Sequence, residues 1–342
     1  MRLHKGPNAA LKWQHADMGS LFHPGPRRQQ SATWLALLCL LGGGALLGIS
    51  TNLAKLAGGL GLTPLAFLCW SSVGAAGLLM VLAAWRGDLP PVSGRALEYY
   101  TVSALVGVVG SNLIFFSAVP KVGAGFIALV ISLPPLLTYV GALALRMEPF
   151  NGLRALGVVT ALAGAGVLAA RKLSAPNADA FWILLALVGP VLLAIGNLYR
   201  TLRWPKGASA DALAPGTLVA AALMLLATGA LPGFSLALPL GGWQPFALVA
   251  AQAAVFAGMF LLLFMLQKTG GPVLLSLLGA VGAVVGVPVA VFLQGEAPPS
   301  GLWLGAGLIA IGVALVSFGK NPSRPMPSPP SYTPESDLQQ HP

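Results

Sequence analysis

The sequence predicts an all-α polytopic membrane protein with about ten transmembrane helices, arranged as two inverted five-helix repeats. Three observations predict this fold class. Hydrophobic residues make up 56% of the 342 residues and charged residues only 8%, whereas a soluble domain carries about 25% charged residues. Several apolar stretches reach the roughly 20 residues that cross a hydrocarbon core. Finally, the second half of the chain is a degenerate copy of the first.

The duplication is visible as pairs of matching residues at a shift of 148 positions. These pairs are Gly110 and Gly258, Gly123 and Gly271, Glu148 and Glu296, Gly157 and Gly305, and Gly164 and Gly312. Earlier in each half the register differs by three residues, so that segment 52–55 (Asn-Leu-Ala-Lys) meets segment 197–200 (Asn-Leu-Tyr-Arg). Five spans per repeat is an odd number. The second copy therefore crosses the membrane in the opposite sense, as in transporters with inverted repeats.

Ten apolar stretches give the order of the elements, and the short connections between them predict antiparallel neighbours. The first repeat, residues 34–172, holds spans near 34–54, 62–85, 97–118, 122–145 and 152–170. The second repeat, residues 180–320, holds spans near 180–199, 212–231, 244–266, 271–294 and 302–319. The polar N-terminal tail 1–33, in which Met18 is an alternative start, and the Pro/Ser-rich tail 321–342 are predicted to be disordered.

The basic residues predict the orientation. With the N-terminus in the cytoplasm, all of the 19 Lys and Arg residues lie at cytoplasmic ends or in the tails except Lys55, Lys121, Arg171 and Lys172. This bias indicates that both termini are cytoplasmic, and the expected location is a bacterial plasma (inner) membrane. The net charge of +10 then reflects topology and attraction to anionic membrane lipids. The charges are scattered over many short loops, which disfavours a nucleic acid partner.

Two interrupted helices at matching places predict a substrate cavity between the repeats. The fourth span contains Pro134-Pro135 near its centre, and its counterpart, the ninth, contains Gly279, Gly282 and Pro288. Proline removes a helical hydrogen bond, so in lipid such a break should face protein or a water-filled cavity. The alternative is a kink that only improves packing.

Other polar and aromatic residues are candidates to line the same cavity. Each of them has an alternative role in helix packing. The full set of cavity candidates is Trp70, Asn112, Phe115, Phe116, Ser132, Pro134, Pro135, Tyr139, Gln252, Phe260, Ser276 and Gly282. Because no charged residue is expected at the middle of a span, the ligand is expected to be an amphipathic or neutral solute.

The residues that are missing from the spans disfavour an enzyme. The four histidines, His4, His15, His23 and His341, all lie in the tails, so the membrane body has no histidine for a metal or for general base catalysis. No phosphate-binding motif G-x-x-x-x-G-K-[ST] occurs. Neither a cofactor nor a metal is expected. Cys39 and Cys69 are interpreted as buried small hydrophobic residues.

Small residues at four-residue spacing mark two helix faces. The fifth span contains Gly157, Ala161, Gly164 and Ala165, and the tenth contains Gly301, Gly305, Gly307 and Gly312. Small residues at this spacing let helix backbones approach closely. These faces are predicted to hold the bundle together, with a homodimer contact as the alternative.

The unit of an apolar helix, a glutamate, a short polar turn and two spaced glycines resembles the EamA family of the drug/metabolite transporter superfamily. The unit occurs at Glu148, Gly157 and Gly164, and again at Glu296, Gly305 and Gly312. The resemblance covers roughly residues 34–320. It implies a central cavity between the repeats, alternating access, and export or exchange of small metabolites such as amino acids.

Glu148 and Glu296 have two alternative roles. In the first, each carboxylate lies at the N-terminal side of the following helix, where it meets the positive end of the helix dipole. In the second, the two acids gate the pathway or couple transport to protons. The position of both residues outside the predicted span centres favours the first role.

Four functions remain open. The leading one is a secondary transporter, an exporter, of a small organic solute. The others are a translocator of a lipid-linked sugar or headgroup, which would need a lateral opening toward lipid, a membrane-embedded enzyme, and a non-transporting sensor or scaffold. A midplane pocket with mixed aromatic and polar walls would favour the first.

Overall fold

The computed structural model describes residues 26–147, 149–173, 179–298 and 301–318. Within these residues the chain is helical without strands, and it is a polytopic membrane protein, which confirms the predicted fold class. Eight helices are long and apolar enough to cross a membrane, and two shorter apolar helical segments, Leu278–Leu293 and Leu302–Val316, bring the described total to ten.

Twelve α-helices make up these ten units. The helices of the first half are α1 (Pro26–Gly59), α2 (Pro64–Arg86), α3 (Gly94–Ala104), α4 (Ser111–Val122), α5 (Ala124–Val130), α6 (Pro134–Ala144) and α7 (Gly152–Leu173). Those of the second half are α8 (Ala180–Leu202), α9 (Ala210–Gly229), α10 (Gln244–Ser276), α11 (Leu278–Pro288) and α12 (Leu302–Phe318). Two π-helical turns continue these helices, Leu105–Gly110 between α3 and α4 and Val289–Leu293 after α11.

Several helices begin where the sequence supplies a capping side chain. Thr63 accepts a hydrogen bond from the Ala66 amide at the start of α2, with Pro64 in the first helical position. Asp179 and Ser209 cap α8 and α9 in the same way. Such caps satisfy amide groups that the helix itself leaves without acceptors.

Some element boundaries differ from the prediction. Helix α1 begins at Pro26, inside the predicted N-terminal tail, because residues 26–33 contain no residue that stops a helix after the first proline. Helix α10 continues to Ser276 past the predicted end at 266, so the separate ninth segment begins at Leu278. Residues 1–25 and 319–342, which hold most of the predicted tails, lie outside the described residues.

The two halves of the chain interleave. The strongest helix contacts pair α7 with α12, α1 with both α10 and α11, and α2 with α9, so each joins the first half to the second. The buried core consequently lies between the halves, while large apolar side chains such as Val81, Trp85 and Trp303 point outward. An apolar exterior is what lipid requires.

The two predicted glycine faces pack against each other within the chain. A β-carbon at Gly157 would lie 2.6 Å from the carbonyl oxygen of Gly312, and one at Gly164 would lie 2.7 Å from that of Gly305. The predicted close approach of backbones is therefore present, between α7 and α12. These particular faces are covered by one another, so a homodimer, the alternative role for them, would have to use another surface.

Candidate functional site

The two interrupted helices meet at their interruptions. Between α5 and α6 the chain turns at residues 131–133, and α10 gives way to α11 at Leu277. In an unbroken helix the Ile131 carbonyl would accept from residue 135, but Pro135 has no amide hydrogen. Gly279 packs directly on this carbonyl, since a β-carbon at Gly279 would overlap its oxygen. The breaks from the two halves thus form one joint at the centre of the bundle.

A cavity of about 60 Å³ lies beside this joint. Residues from both halves line it: Leu47, Gly107, Asn112, Phe115, Ile131 and Pro134 from the first, and Leu193, Asn197, Arg200, Met259, Phe260, Leu263, Leu275, Leu278 and Gly279 from the second. We call this the central cavity. Its walls are mostly apolar, and its polar groups are two amides and one guanidinium. The volume holds a few water molecules.

A π-helical turn shapes one wall of the central cavity. Leu105–Gly110 widens the helix between α3 and α4 and disturbs the regular hydrogen-bond ladder. Two polar side chains from the next turn donate hydrogen bonds to carbonyls of this π-helical turn. Ser111 bonds the Gly107 carbonyl at 3.1 Å, and Asn112 bonds the Val108 carbonyl at 2.8 Å. Asn112 uses its Nδ2 for this bond, and the residue also lines the cavity. The second hydrogen of Nδ2 and the carbonyl oxygen are therefore the groups that it can offer to a ligand.

Arg200 brings a full positive charge into the bundle. It lies two residues before the end of α8 and is 1% exposed. Its Nη2 donates to Oδ1 of Asn197 at 2.7 Å, and the guanidinium lies 5.9 Å from the centre of the Phe264 ring. Gly107 makes room for it, because a β-carbon there would lie 2.7 Å from Nη1. The π-helical turn and α8 thus hold the guanidinium at the cavity wall.

This position corrects the expectation from the sequence. The sequence places Arg200 at a cytoplasmic helix end, and its burial contradicts the charge-free interior on which the expectation of an amphipathic or neutral solute depends. A helix position near the end of a span does not distinguish a side chain that points to water from one that points inward. The repeat offered a sign that Arg200 has a special role. Segment 197–200 aligns with segment 52–55, and each carries a basic residue three positions after an asparagine.

The structure brings four of the twelve cavity candidates together. Asn112, Phe115, Pro134 and Phe260 line the central cavity. Phe116 instead packs in an aromatic cluster, with ring centres 5.6 Å from Phe67 and 6.1 Å from Phe256. Sequence reasoning could not separate the neighbours Phe115 and Phe116, because the helix rotation that decides between them depends on packing.

The other polar candidates are engaged elsewhere. Trp70 donates to the Leu236 carbonyl at 2.8 Å, which ties α2 to the loop after α9. Gln252 donates to Ser50 at 2.6 Å and links α10 to α1. The Tyr139 hydroxyl accepts from the Asn151 amide at 2.9 Å at the start of α7. Ser132 donates to the Leu129 carbonyl at the break.

The remaining candidates have packing positions or are not described. Pro135 is buried within α6. Gly282 lies where α11 crosses α1, against the Gly44 carbonyl and Leu47. The side chain of Ser276 lies outside the described residues.

Each end of the bundle carries one ion pair among the described residues: Arg86 with Asp211 at one end and Lys55 with Glu296 at the other. Lys55 Nζ at the end of α1 lies 2.7 Å from Oε1 of Glu296. The same carboxylate accepts from the amides of Ala124 and Gly125 at 2.7 and 3.0 Å. Glu296 therefore caps a helix N-terminus, as one of the two alternatives expects. The helix is α5 of the other repeat, however, and not α12, which follows it in sequence. Glu148 lies outside the described residues.

The surroundings of Glu296 favour its charged form. Burial raises the pKa of the carboxyl group, but hydrogen bonds from Lys55 and from the amides of Gly125 and Ala124 outweigh burial, and the net pKa is lowered. Glu296 therefore stays ionised at neutral pH. This is the behaviour of a structural latch and not of a proton carrier that titrates near pH 7.

Known proteins share this fold. Residues 34–170 match the EamA-like transporter family, which confirms the resemblance over the first repeat. Among solved structures, 18 chains match. One of them, titled only as a crystal structure of a protein, aligns with a TM-score of 0.60 at 21% identity, covering 84% of this chain and 98% of that chain. At this identity the likeness shows the fold alone. No curated protein sequence matches.

Proposed function

We propose that this integral membrane protein, whose residues 34–170 match the EamA-like transporter family, is a secondary transporter that exports small organic metabolites by alternating access. Members of that family are transporters rather than enzymes. The observation that carries the proposal is the central cavity, which is built from both halves of the chain at the joint between two interrupted helices. Solute sites of secondary transporters lie in such places.

The size of the cavity supports a mechanism with movement. About 60 Å³ is too small for an amino acid, since ligand pockets usually measure about 300–1,000 Å³. The halves must therefore separate for a solute to enter. The joint between Ile131 and Gly279 contains no side chain on the α11 side and lacks a helical hydrogen bond on the α5 side. The missing hydrogen bond removes one restraint on the angle between α5 and α6.

Each end of the bundle carries polar links that a moving half would break. One end has Lys55 with Glu296. The other has Arg86 with Asp211 at 2.8 Å, and a hydrogen bond from Ser209 to Asp88. Alternating access requires that one set opens while the other holds. Partly exposed ion pairs can open and close in this way, because each contributes little to the free energy of unfolding. When a pair separates, water can hydrate both charges.

A transport assay with a matched pair of variants tests this function. Purified protein in liposomes is loaded with amino acids, carboxylic acids and amines in turn, and efflux is followed with and without a proton gradient. Leu47→Trp fills the central cavity and should abolish efflux. Leu41→Trp on the same helix, where the wild-type side chain is 56% exposed, should transport normally. Equal efflux from both variants would exclude the central cavity as the route.

An apolar groove favours translocation of a lipid-linked headgroup as a second candidate. The groove of about 650 Å³ opens between α11 and α12, with Phe292 and Trp303 among its exposed walls, and reaches Ser132 at the break beside the central cavity. Ala306→Trp would fill this groove. Loss of fluorescent lipid exchange in Ala306→Trp together with unchanged solute efflux would favour the second candidate over the first.

A further inference from the structure

We propose that Arg200 binds a carboxylate, and that the solute is a small organic anion with an apolar body. This inference rests on the proposed transport function, because it assigns the chemistry of the ligand in the same cavity. It narrows the amphipathic or neutral solute expected from the sequence to an amphipathic anion. The argument starts from the hydrogen bonds of the guanidinium.

The guanidinium of Arg200 makes far fewer hydrogen bonds than it can. Arginine carries five N–H donors and stays protonated in proteins. Within the described residues, Nη2 bonds Asn197, while Nε and Nη1 have no partner. The residue is 1% exposed, so the protein itself keeps bulk water from these donors. Buried donors without acceptors are destabilising, and a ligand that supplies acceptors is correspondingly favoured.

No carboxylate neutralises this charge in the part of the chain that the structure describes. The two ion pairs there join Lys55 to Glu296 and Arg86 to Asp211. A buried guanidinium without a counter-ion among these residues has lost its hydration and gained no opposite charge. An anion that enters the cavity would regain that attraction without a further cost for burying Arg200. The site is thus prepared for negative charge before the ligand arrives.

The guanidinium is also held in position. Asn197 bonds it from the preceding turn of α8, the Phe264 ring lies 5.9 Å away, and the Gly107 backbone leaves room for Nη1. Since the side chain is already ordered, little rotamer freedom is lost when it binds a ligand. A planar carboxylate can accept two parallel hydrogen bonds from such a fork.

The walls limit the anion to one charged group on an apolar body. Arg200 is the one charged side chain among the residues that line the central cavity. A phosphate would bring close to two negative charges to this single positive one. Phe115, Met259 and Phe260 offer apolar surface in the same cavity. A monocarboxylate with a compact apolar part fits this distribution better than a phosphate, an amine or an uncharged polar solute.

An alternative role for Arg200 is an ion pair with Glu148. The repeat pairs Lys55 with Arg200 and Glu296 with Glu148, so symmetry allows Arg200 to pair with Glu148, in a part of the chain outside the described residues. In that case Arg200 would belong to a latch and not to a ligand site. The Glu148→Gln variant separates these roles, because the ligand-site role requires that acid recognition survive this change.

The test compares acids with their uncharged amides. The melting temperature of purified protein in detergent is measured against isobutyrate and isobutyramide, and against phenylacetate and phenylacetamide, at constant ionic strength set with chloride. Wild type should be stabilised by the acids and not by the amides. Arg200→Lys keeps the charge but loses the fork and should weaken acid binding about tenfold or more. Arg200→Gln should remove the preference for the acids.

Arg203→Gln is the matched control, because Arg203 directly follows the same helix and is exposed. It should bind the acids like wild type, and so should Glu148→Gln. Equal stabilisation by acids and amides in wild type would overturn the proposal, and this readout needs no variant to fold. Wild-type acid preference in Arg200→Gln, or its loss in Glu148→Gln, would also overturn it.

Efflux from liposomes separates this inference from the proposed function. Binding of acids without any efflux would leave the anion site standing and remove the transport function. Efflux of neutral solutes at equal rates in wild type and Arg200→Gln would support transport and contradict the anion site. Efflux of the acids that Arg200→Gln abolishes and Arg203→Gln retains would support both.

Discussion

Lys55 and Glu296 join the two halves of the chain through an ion pair of 2.7 Å, although 240 positions of sequence lie between them. The carboxylate is 15% exposed and also caps α5 through two backbone amides. One side chain thus links α1, the start of α5 and the loop after α11. A break in this contact would release three elements together, as a gate requires.

We expect Lys55→Met to open this end of the bundle. In a background where Cys39 and Cys69 are replaced by alanine, a cysteine at Val122 reports access, because Val122 is 1% exposed and lines the vestibule beside the ion pair. Labelling by a membrane-impermeant maleimide should rise about tenfold in Lys55→Met, given the usual strength of a hydrogen bond to a charged group. Lys121→Met, which removes an exposed lysine, should label like wild type. Equal labelling of both variants would show that the pair does not hold the end closed.

The lowered pKa of Glu296 predicts how stability depends on pH. A carboxyl group whose pKa is lower in the folded state stabilises the fold fully above its unfolded pKa, near 4.3, and loses that contribution as the pH falls through the folded pKa. The melting temperature of wild type should therefore exceed that of Glu296→Gln from pH 8 down to about pH 5. The difference should shrink below about pH 4. A constant difference down to pH 3 would contradict the assigned charge state.

The same sign argues against proton coupling through Glu296. Because the carboxyl group does not titrate between pH 5.5 and 8, the slope of transport against pH over that range should be equal in wild type and Glu296→Gln. Only the absolute rate should change. A flattened slope in the variant would show that Glu296 exchanges protons during transport.

Composition and periodicity predicted the fold class because lipid permits few solutions. Nearly every span had to be an apolar helix, so the stretches near 62–85, 152–170 and 180–199 reappear as α2, α7 and α8 within a few residues. The repeat added the matching interruptions, which the structure places in contact. The capping of a helix by Glu296 was also predictable in kind, but the helix that it caps lies in the other repeat, and long-range partners are not encoded in local spacing.

The site was harder to predict because rotation about each helix axis decides which side chains face inward. Phe115 and Phe116 differ only by that rotation, and Phe115 lines the central cavity. Arg200 also lines it, whereas Arg203, just past the end of α8, is exposed. The π-helical turn at Leu105–Gly110 shifts the register of everything after it in the third span, and no local residue preference specifies such a turn.

The joint between the interrupted helices should not tolerate a side chain at Gly279. Gly279→Ala would place a methyl group on the Ile131 carbonyl and should destabilise the fold by about 1–3 kcal/mol, as overpacking does. Gly77→Ala is the control, since a β-carbon there has no neighbour within 4 Å, and a helical alanine is about 0.5–1 kcal/mol more favourable than glycine. Thermal unfolding in detergent measures both. An unchanged unfolding midpoint in Gly279→Ala would mean that the backbone at the joint can move apart to accommodate a methyl group at little cost in stability.

Helix α7 offers a matched pair for the contact with α12. Gly164→Ala would press on the Gly305 backbone, whereas Gly166→Ala meets nothing within 4 Å. We expect Gly164→Ala to lower the free energy of unfolding by about 1–3 kcal/mol and Gly166→Ala to leave it equal or higher. If this face instead formed a dimer contact, Gly164→Ala would change the mass of the complex in size-exclusion chromatography with light scattering. An unchanged mass with lowered stability is the expected result.

Asn112 and Tyr139 should separate transport from stability. Asn112 lines the central cavity, and its Nδ2 has a second hydrogen to donate to a carboxylate besides the one bound to the Val108 carbonyl. Asn112→Ala should lower the rate of efflux about tenfold or more, since each lost hydrogen bond to a charged ligand contributes about 1.5–3 kcal/mol. The melting temperature should change little.

Tyr139 bonds the Asn151 backbone at the start of α7, away from the central cavity, so Tyr139→Phe should lower the melting temperature and leave the efflux rate per folded protein unchanged. If efflux falls in Tyr139→Phe but not in Asn112→Ala, the solute passes along the side of α6 that carries Tyr139. Its route would then avoid the central cavity and the joint of Ile131 and Gly279.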